Sequence, residues 1–461
     1  MTIKAVILVG GETTGTRFRP LSMESPKVLF PICGKPLVSH VIDNLVSQLS
    51  STEPLEILLI GFFKDSSKFD DYIKIKNKQY PDVKIKYLSE PNSMGTAGGL
   101  YYFREEIFGD ETCEKLLVIH GDVICNYPFK QLLDFYDAEN SSAVILGIDP
   151  VLLMNNFHNK KQIQNQDQSS FVTYDKDRIF SLYGTIIAKK ANNEVVHYVE
   201  KPTSKISKFR METDYNVLLN GGIYVFNRNV LSELETAHVR HKDPSTYFEF
   251  HDDLEEDNVD DKSISLELDI LRTLPTTPNT KFSTYKSNSF WYQLKTPVSA
   301  LMANNFFLEQ LLQNDQYKTL EPPSAGVVPP VLSVGSCLQN TATYKIGPNV
   351  SIGKNVTIGR GVRIINSIIS NNVTIGDNTF ISNSIVSDGV KIGKWCRIEG
   401  TITSTTISND NASNSDGYFK LINNIVILCQ NTVVNNQVFV YNSIVLPHKE
   451  LKSDVKYEIV M

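Results

Sequence analysis

The sequence contains no run of about 18 apolar residues, so it offers no helix able to cross a membrane. It also lacks any Cys-x-x-Cys pair. Its six cysteines (Cys33, Cys113, Cys125, Cys337, Cys396 and Cys429) are scattered. That spacing excludes a zinc knuckle or disulfide framework and fits reduced, mostly buried thiols of a cytoplasmic protein. A basic block is missing too: 45 Lys and Arg against 51 Asp and Glu leave a net charge of −6. This balance excludes a nucleic-acid scaffold. It leaves a small anionic ligand open, because a pocket needs only a few cations. The opening "MTIKAVILVG" carries one lysine and a short apolar run ending in glycine. It reads as a first core strand, not as a secretory leader.

With 461 residues and 41% hydrophobic content, the chain has room for two or three domains with buried cores. In residues 1–296, "AVILVG", "LEILLIGF", "VKIKYL", "KLLVIHGD" and "SSAVILGI" are short, nearly continuous apolar runs, as in strands buried on both faces. Between the first two, Leu37, Val38, Val41, Ile42, Leu45, Val46 and Leu49 recur at helical spacing, with Pro36 suited to the first turn. "PFKQLLDFYDA" predicts a second helix. Such alternation predicts an α/β domain with a mostly parallel sheet and ligands beyond the carboxyl ends of its strands. A polar tract at 151–181 reads as a mobile surface insertion, and an acidic one at 251–263 as solvated surface. A helix over 297–315 then leads into a Pro-rich linker, the two together spanning 297–340.

From Ile346 the pattern changes. Ile346, Ile352, Ile358 and Ile364 recur every six residues; the register slips by one and resumes with Ile369, Ile375 and Ile381, then slips again to Val386, Ile392 and Ile398. An aliphatic residue every six predicts a parallel β-helix of hexapeptide repeats over 341–461. Its open ends require neighbouring coils or subunits to cover them, hence self-association. A polar loop at 403–424 interrupts the repeats. No histidine lies within the regular hexads (His448 is at the far end), so nothing there suits acyl transfer.

The stretch "AVILVGGETTGTRFRP", residues 5–20, runs from an apolar strand into glycines and arginines. Gly10 and Gly15 have P-loop spacing, but Thr16 and Arg17 stand where a lysine and a hydroxyl belong, so that reading fails. A bare glycine turn remains possible. Against it, Arg17, Arg19 and Lys27 cluster beside backbone N–H groups, which favours a phosphate ligand.

Further motifs accompany this loop: "RFRPLSMESPKVLFPICGKPL" at 17–37, "EPNSMGTAGGLYYF" at 90–103, "HGDV" at 120–123, "YVEKP" at 198–202 and "NGGIYVF" at 220–226. Together they resemble sugar-1-phosphate nucleotidyltransferases, above all the GDP-mannose pyrophosphorylase, or mannose-1-phosphate guanylyltransferase, family. The resemblance covers nearly the whole chain apart from the two polar insertions. It implies a Rossmann-like nucleotidyltransferase domain followed by a left-handed parallel β-helix. It also implies roles. Gly10, Gly11, Gly15, Thr16, Arg17 and Lys27 would face the nucleotide phosphates. Glu90, with Gly95 and Thr96, would select the base, where a carboxylate can accept two guanine N–H groups. Asp122 would hold magnesium, and Glu200, Lys201, Asn220 and Gly221 would line the sugar-phosphate site. Alone, Asp122 would read as a cap and Lys201 as a surface cation.

Two features depart from the catalytic pattern. Glu12, Thr13 and Thr14 separate the glycine pair from Gly15, where catalytic members have one residue, and the added acid would bring negative charge towards a triphosphate. In "FWYQLKTP" at 290–297, Gln293 and Lys295 replace the aspartate and glycine of the family's Trp-x-Asp-Ile-Gly. That aspartate is the second magnesium ligand, and magnesium prefers anionic oxygens. Both features, with the 403–424 loop, resemble the family's alpha-type subunit. This resemblance implies a regulator that binds GDP-mannose, uses Gln293 as a product ligand and relays feedback inhibition to a catalytic beta-type subunit. Magnesium would then be needed only if the chain is an active guanylyltransferase, the first alternative. A subunit of the translation-initiation nucleotide exchange factor is a second; it lacks support because no helical domain follows the β-helix.

Overall fold

The structure is a computed structural model. It describes residues 2–12, 16–23, 25–50, 54–109, 113–151, 179–202, 214–242, 263–313, 326–334, 343–401 and 425–461. They form two compact units, one of Met1–Thr14 with Val41–Tyr292, the other of Gly15–His40 with Gln293–Met461. The second joint lies close to the end of the α/β region read from sequence. The assignment of 15–40 to the second unit has no sequence periodicity to announce it.

The first unit is built on a nine-stranded sheet. Its strands are β1 (Thr2–Gly11), β2 (Leu55–Phe62), β3 (Lys84–Ser89), β4 (Cys113–His120), β5 (Ala143–Ile148), β6 (Thr185–Lys189), β7 (Val195–Val199), β8 (Tyr215–Asn227) and β9 (Phe282–Ser287). The order is β7-β6-β8-β4-β1-β2-β3, with β5 between β8 and β9. β4, β1, β2 and β3 are parallel, the block expected from strand–helix alternation. The long β8 runs antiparallel to β4, β5 and β6 and ties the second half on. β5 is buried at every position, as a continuous apolar run requires. β3 departs from that expectation, with Lys84 exposed and Ile85 buried: it ends the sheet, where lysines protect an edge from further pairing.

The first helix, Leu37–Leu49, starts directly after Pro36, which itself ends a two-residue strand instead of sitting in the first turn. Its apolar stripe is buried at Leu37, Val38, Val41, Ile42, Leu45 and Leu49, with Val46 half-buried. The second predicted helix is Phe129–Glu139, stopped by Asn140 in a left-handed cap at φ 47°. Val6, Leu58, Val118, Ile145 and Tyr224 are at the centre of one apolar cluster on the sheet.

In the second unit, helix Pro297–Gln313 precedes a parallel β-helix with three faces of seven, six and five short strands. Its first rung, Val331–Ser333, pairs with Val350–Ile352 and so lies inside the segment read as linker. Ile364, Ile381, Ile398 and Val440 stack on one inner line, all with no exposed surface. Ile364 pairs with Ile381 and Ile381 with Ile398, 17 residues on each time. The two slips in the hexad pattern are therefore one recurring short corner per coil. Asn366, Asn383 and Asn442 turn it with φ of 44°, 47° and 46°. The serine after each donates its hydroxyl to the carbonyl two residues back at 2.7 Å. Asn366 also donates to Asn383 at 2.7 Å, and Asn383 to the Gly400 carbonyl at 2.6 Å, so the corners form a ladder.

Among the described cysteines, Cys33, Cys113, Cys125, Cys396 and Cys429 form no disulfide and are buried. No helix of the described residues is long and apolar enough to cross a membrane. Most of the 151–181 and 251–263 tracts, and all of the 403–424 loop, lie outside the described residues.

Candidate functional site

The parallel strands place Gly10, Gly11, Glu90 and Asp122 at their carboxyl ends, where a doubly wound sheet leaves its crevice. Gly10 and Gly11 close β1, and the pairing with β2 slips between Leu8 and Gly10. Glu12 continues on the β2 side: its N–H donates to the Phe62 carbonyl at 3.1 Å, and its Oε1 accepts from the Lys64 N–H at 2.8 Å. The added acid of the loop is thus engaged with backbone. Thr13, Thr14 and Gly15 lie outside the described residues.

Glu90 follows β3 and is 9% exposed. Burial pushes its carboxyl up from 4.5 to about 7. The helix Gly95–Tyr102 packs close against it; a Cβ on Gly99 would sit 2.3 Å from Glu90 Oε1, so only glycine leaves the carboxylate room. Asp122 is half-buried just beyond β4, the strand that ends at His120.

Thr96, in the first turn of that helix, begins a polar chain. Its Oγ1 donates to Glu267 Oε2 at 2.6 Å and accepts from the Leu266 N–H at 2.8 Å. Glu267 Oε1 lies 3.4 Å from His120 Nε2, which is also 3.4 Å from the Tyr224 hydroxyl. Tyr224 donates to Asn220 Oδ1 at 3.0 Å. Nε2 of His120 thus lies between a carboxylate and a hydroxyl. Asn220 Nδ2 donates to the Tyr198 hydroxyl at 3.0 Å, and Tyr198 donates to Glu200 Oε2 at 2.7 Å. Lys201 Nζ closes the chain 3.3 Å from Glu200 Oε1. Burial, with carboxylates nearby, holds both tyrosines well above their ordinary range, so they remain donors.

The backbone serves the same groups. A Cβ on Gly184 would meet the Tyr198 hydroxyl at 2.1 Å and Glu200 Oε2 at 2.7 Å, so this glycine makes space for the pair. Within β8 the pairing with β5 slips between Asn220 and Tyr224. Asn220 Oδ1 bridges the slip by accepting from the Gly222 N–H at 2.9 Å, and the Gly221 carbonyl accepts from Trp291 Nε1 at 2.8 Å. Lys201 has φ 42°, a left-handed conformation that an ordinary side chain adopts at a cost of about 1 kcal/mol or more.

The structure thus brings Thr96, Glu200, Lys201 and Asn220 into one network. That network includes His120, Tyr198 and Tyr224, which lie in the motifs but receive no role from them, and Glu267, which lies in none. The spacing Tyr198-x-Glu200 held a signal, since alternate residues share a strand face. Glu267 had none. The remaining predicted residues belong to the second unit. Thr16 and Arg17 lie in the exposed turn Thr16–Phe18, and Lys27 is half-buried at the start of the turn Lys27–Leu29. Gln293 ends the short strand Trp291–Gln293 and is half-buried. Among the described residues, no group of three His, Cys, Asp or Glu is placed to hold a metal ion.

Known proteins resemble this chain along its length. Residues 4–157 match the family described as nucleotidyl transferase, and residues 332–460 match the GMPPB C-terminal domain. A probable mannose-1-phosphate guanyltransferase of Schizosaccharomyces pombe is 33% identical over the whole of both chains. The mannose-1-phosphate guanylyltransferase regulatory subunit alpha of Xenopus tropicalis is also 33% identical over the whole of both. The protein of the same name from Dictyostelium discoideum is 31% identical, over 100% of this chain and 99% of its own. With a nucleotidyltransferase domain, a matching β-helix and full-length relatives at this identity, the chain belongs to the mannose-1-phosphate guanylyltransferase family.

Proposed function

We propose that this chain is a product-sensing subunit: it binds GDP-mannose at the carboxyl ends of its sheet and relays feedback inhibition to a catalytic, beta-type member of the family. The observation that carries the reading is Gln293 at the end of its strand, where the family's catalytic pattern has an aspartate. Magnesium would be offered the Asp122 carboxylate and a neutral amide. That donor set suits a product better than the metal-bridged triphosphate of a reaction. In this reading Glu90, Gly95 and Thr96 hold the guanine end and Glu200, Lys201, Asn220 and Gly221 the mannose phosphate. Gly10, Gly11, Gly15, Thr16, Arg17 and Lys27 contact the phosphates. The names of several relatives as regulatory subunits support it, as does the polar chain from Thr96 to Glu200. Self-association through the β-helix and action in the cytoplasm belong to the same reading.

A second reading is a working guanylyltransferase that uses Asp122, Lys27 and magnesium. Two observations favour it: these residues are retained, and a full-length relative carries the enzyme's name without the regulatory qualifier.

Calorimetric titration of GDP-mannose into Gln293→Ala tests the first reading. Affinity should fall about tenfold with the loss of a hydrogen-bonding amide. Unchanged affinity would remove Gln293 from the site.

A further inference from the structure

The first unit holds a cavity of about 490 Å³ that shares no lining residue with the polar chain from Thr96 to Lys201. One wall is residues 126–128 with the first turn of helix Phe129–Glu139; the other is residues 285–289, where the chain leaves β9. Residues 126–128 follow the short strand Val123–Cys125, which begins just after Asp122. Both walls are held by their own hydrogen bonds. Gln48 Nε2 donates to the Tyr127 carbonyl at 2.8 Å, and Gln48 Oε1 accepts from the Lys130 N–H at 3.2 Å. Tyr127 is buried at φ 46°, and its hydroxyl donates to the Val123 carbonyl at 2.9 Å. In the opposite wall, the Ser289 N–H donates to Oγ of the buried Ser287 at 3.2 Å.

The charge of this lining has one sign. Among the described residues that form it, Lys130 and Lys286 are cationic and none is acidic. Both lysines are exposed; Lys286 Nζ lies 3.1 Å from Oδ2 of Asp149, which stands outside the lining. Lys130 is the second residue of its helix, and the first turn of that helix holds no acid. A cation there faces the positive end of the helix dipole, where acids are the favoured residues. A bound anion reverses the conflict, because lysine and helix end then attract the same charge. The cavity is larger than a phosphate group requires and falls among small-molecule sites in size. Beside the lysines it presents the amides of Gln131 and Asn288, which both donate to and accept from hydroxyl groups. We infer that this cavity is a second ligand site, which binds a small phosphorylated sugar: its phosphate lies between Lys130 and Lys286, and its hydroxyls meet Gln131 and Asn288. The inference concerns this cavity alone and stands whether or not GDP-mannose binds at the strand ends.

Calorimetric titration of the full chain with glucose 6-phosphate, and separately with inorganic phosphate, tests it. Glucose 6-phosphate should bind with a Kd of about 1 mM or tighter, and inorganic phosphate at least about tenfold more weakly. Lys130→Glu should weaken the sugar phosphate at least about tenfold, through loss of a charge-assisted contact and gain of repulsion. An acid is favoured in a first helical turn, so this variant should fold as the wild type does, which circular dichroism checks. Lys286→Gln should weaken binding in the same direction and carries the test if Lys130→Glu is not folded. Lys201→Ala, at the strand-end site, should leave the affinity for glucose 6-phosphate unchanged. No saturable binding up to about 10 mM, or wild-type affinity in both lysine variants of the cavity, would overturn the site. Loss of binding in Lys201→Ala with retention in Lys130→Glu would move the sugar phosphate to the strand ends and overturn it equally. Equal affinity for the two probes would overturn the sugar part of the inference and leave a phosphate site.

Discussion

Both units place residues in left-handed conformations and use asparagine side chains to satisfy backbone or neighbouring groups, but the two units use these devices differently. In the β-helix they recur: Asn366, Asn383 and Asn442 turn equivalent corners, and each rung bonds to the next. In the sheet unit they do not recur: left-handed residues are scattered at Tyr127, Asn140, Asn193, Lys201 and Asn279, and one group of irregularities serves a single site. The slip at Asn220, the left-handed Lys201 and the clearance at Gly184 all serve the same polar chain. A repeated irregularity is architecture, because every coil needs its corner. An unrepeated one, at strand ends and around charged groups, is retained for what it holds.

That contrast can be broken at several points. The largest effect is expected inside the β-helix: Ile381→Ala removes a fully buried side chain from the stack and should cost about 4 kcal/mol in denaturant unfolding. The affinity of the remaining folded protein for GDP-mannose should be unchanged.

Glu90 sharpens the comparison through pH. Its carboxyl rises from 4.5 to about 7 on burial, so folding favours the protonated form. The associated stability is full below about 4.5 and is lost as pH rises through about 7. In the proposed role Glu90 accepts guanine N–H groups as a carboxylate, so GDP-mannose affinity should fall by up to about tenfold per pH unit below 7. Glu90→Gln should flatten both profiles, read by thermal melts and calorimetry.

The smallest effect is the most diagnostic. Lys201→Gly relieves a left-handed lysine and should change stability by no more than about 1 kcal/mol, in either direction, because the freer unfolded chain offsets the relief. GDP-mannose affinity should nevertheless drop several-fold. Unaltered affinity would show the strain to be unrelated to the ligand.

Much of this was legible in the sequence because periodicity is local. Apolar runs marked the strands, and isoleucines every six residues marked the coils, although their slips gained meaning only once the corners at Asn366 and Asn383 were seen. The polar chain was legible in part. Glu200, Asn220, Thr96 and His120 lay in motifs, but Glu267 lay in none and reaches Thr96 from 171 residues away. No spacing rule encodes such meetings; the sheet order creates them. Lysines 84 and 86 also misled, because one sequence does not say which strand ends a sheet.

The central claim is that this pocket senses product and does not make it. Its most direct test combines two assays on one preparation of the purified chain: pyrophosphate release from GTP, mannose 1-phosphate and magnesium, and calorimetric titration with GDP-mannose. The account predicts saturable GDP-mannose binding with turnover at least a thousandfold below the roughly 10 s⁻¹ of an ordinary enzyme. Turnover within about tenfold of that value would contradict it and leave Gln293 as a tolerated substitution in a working site.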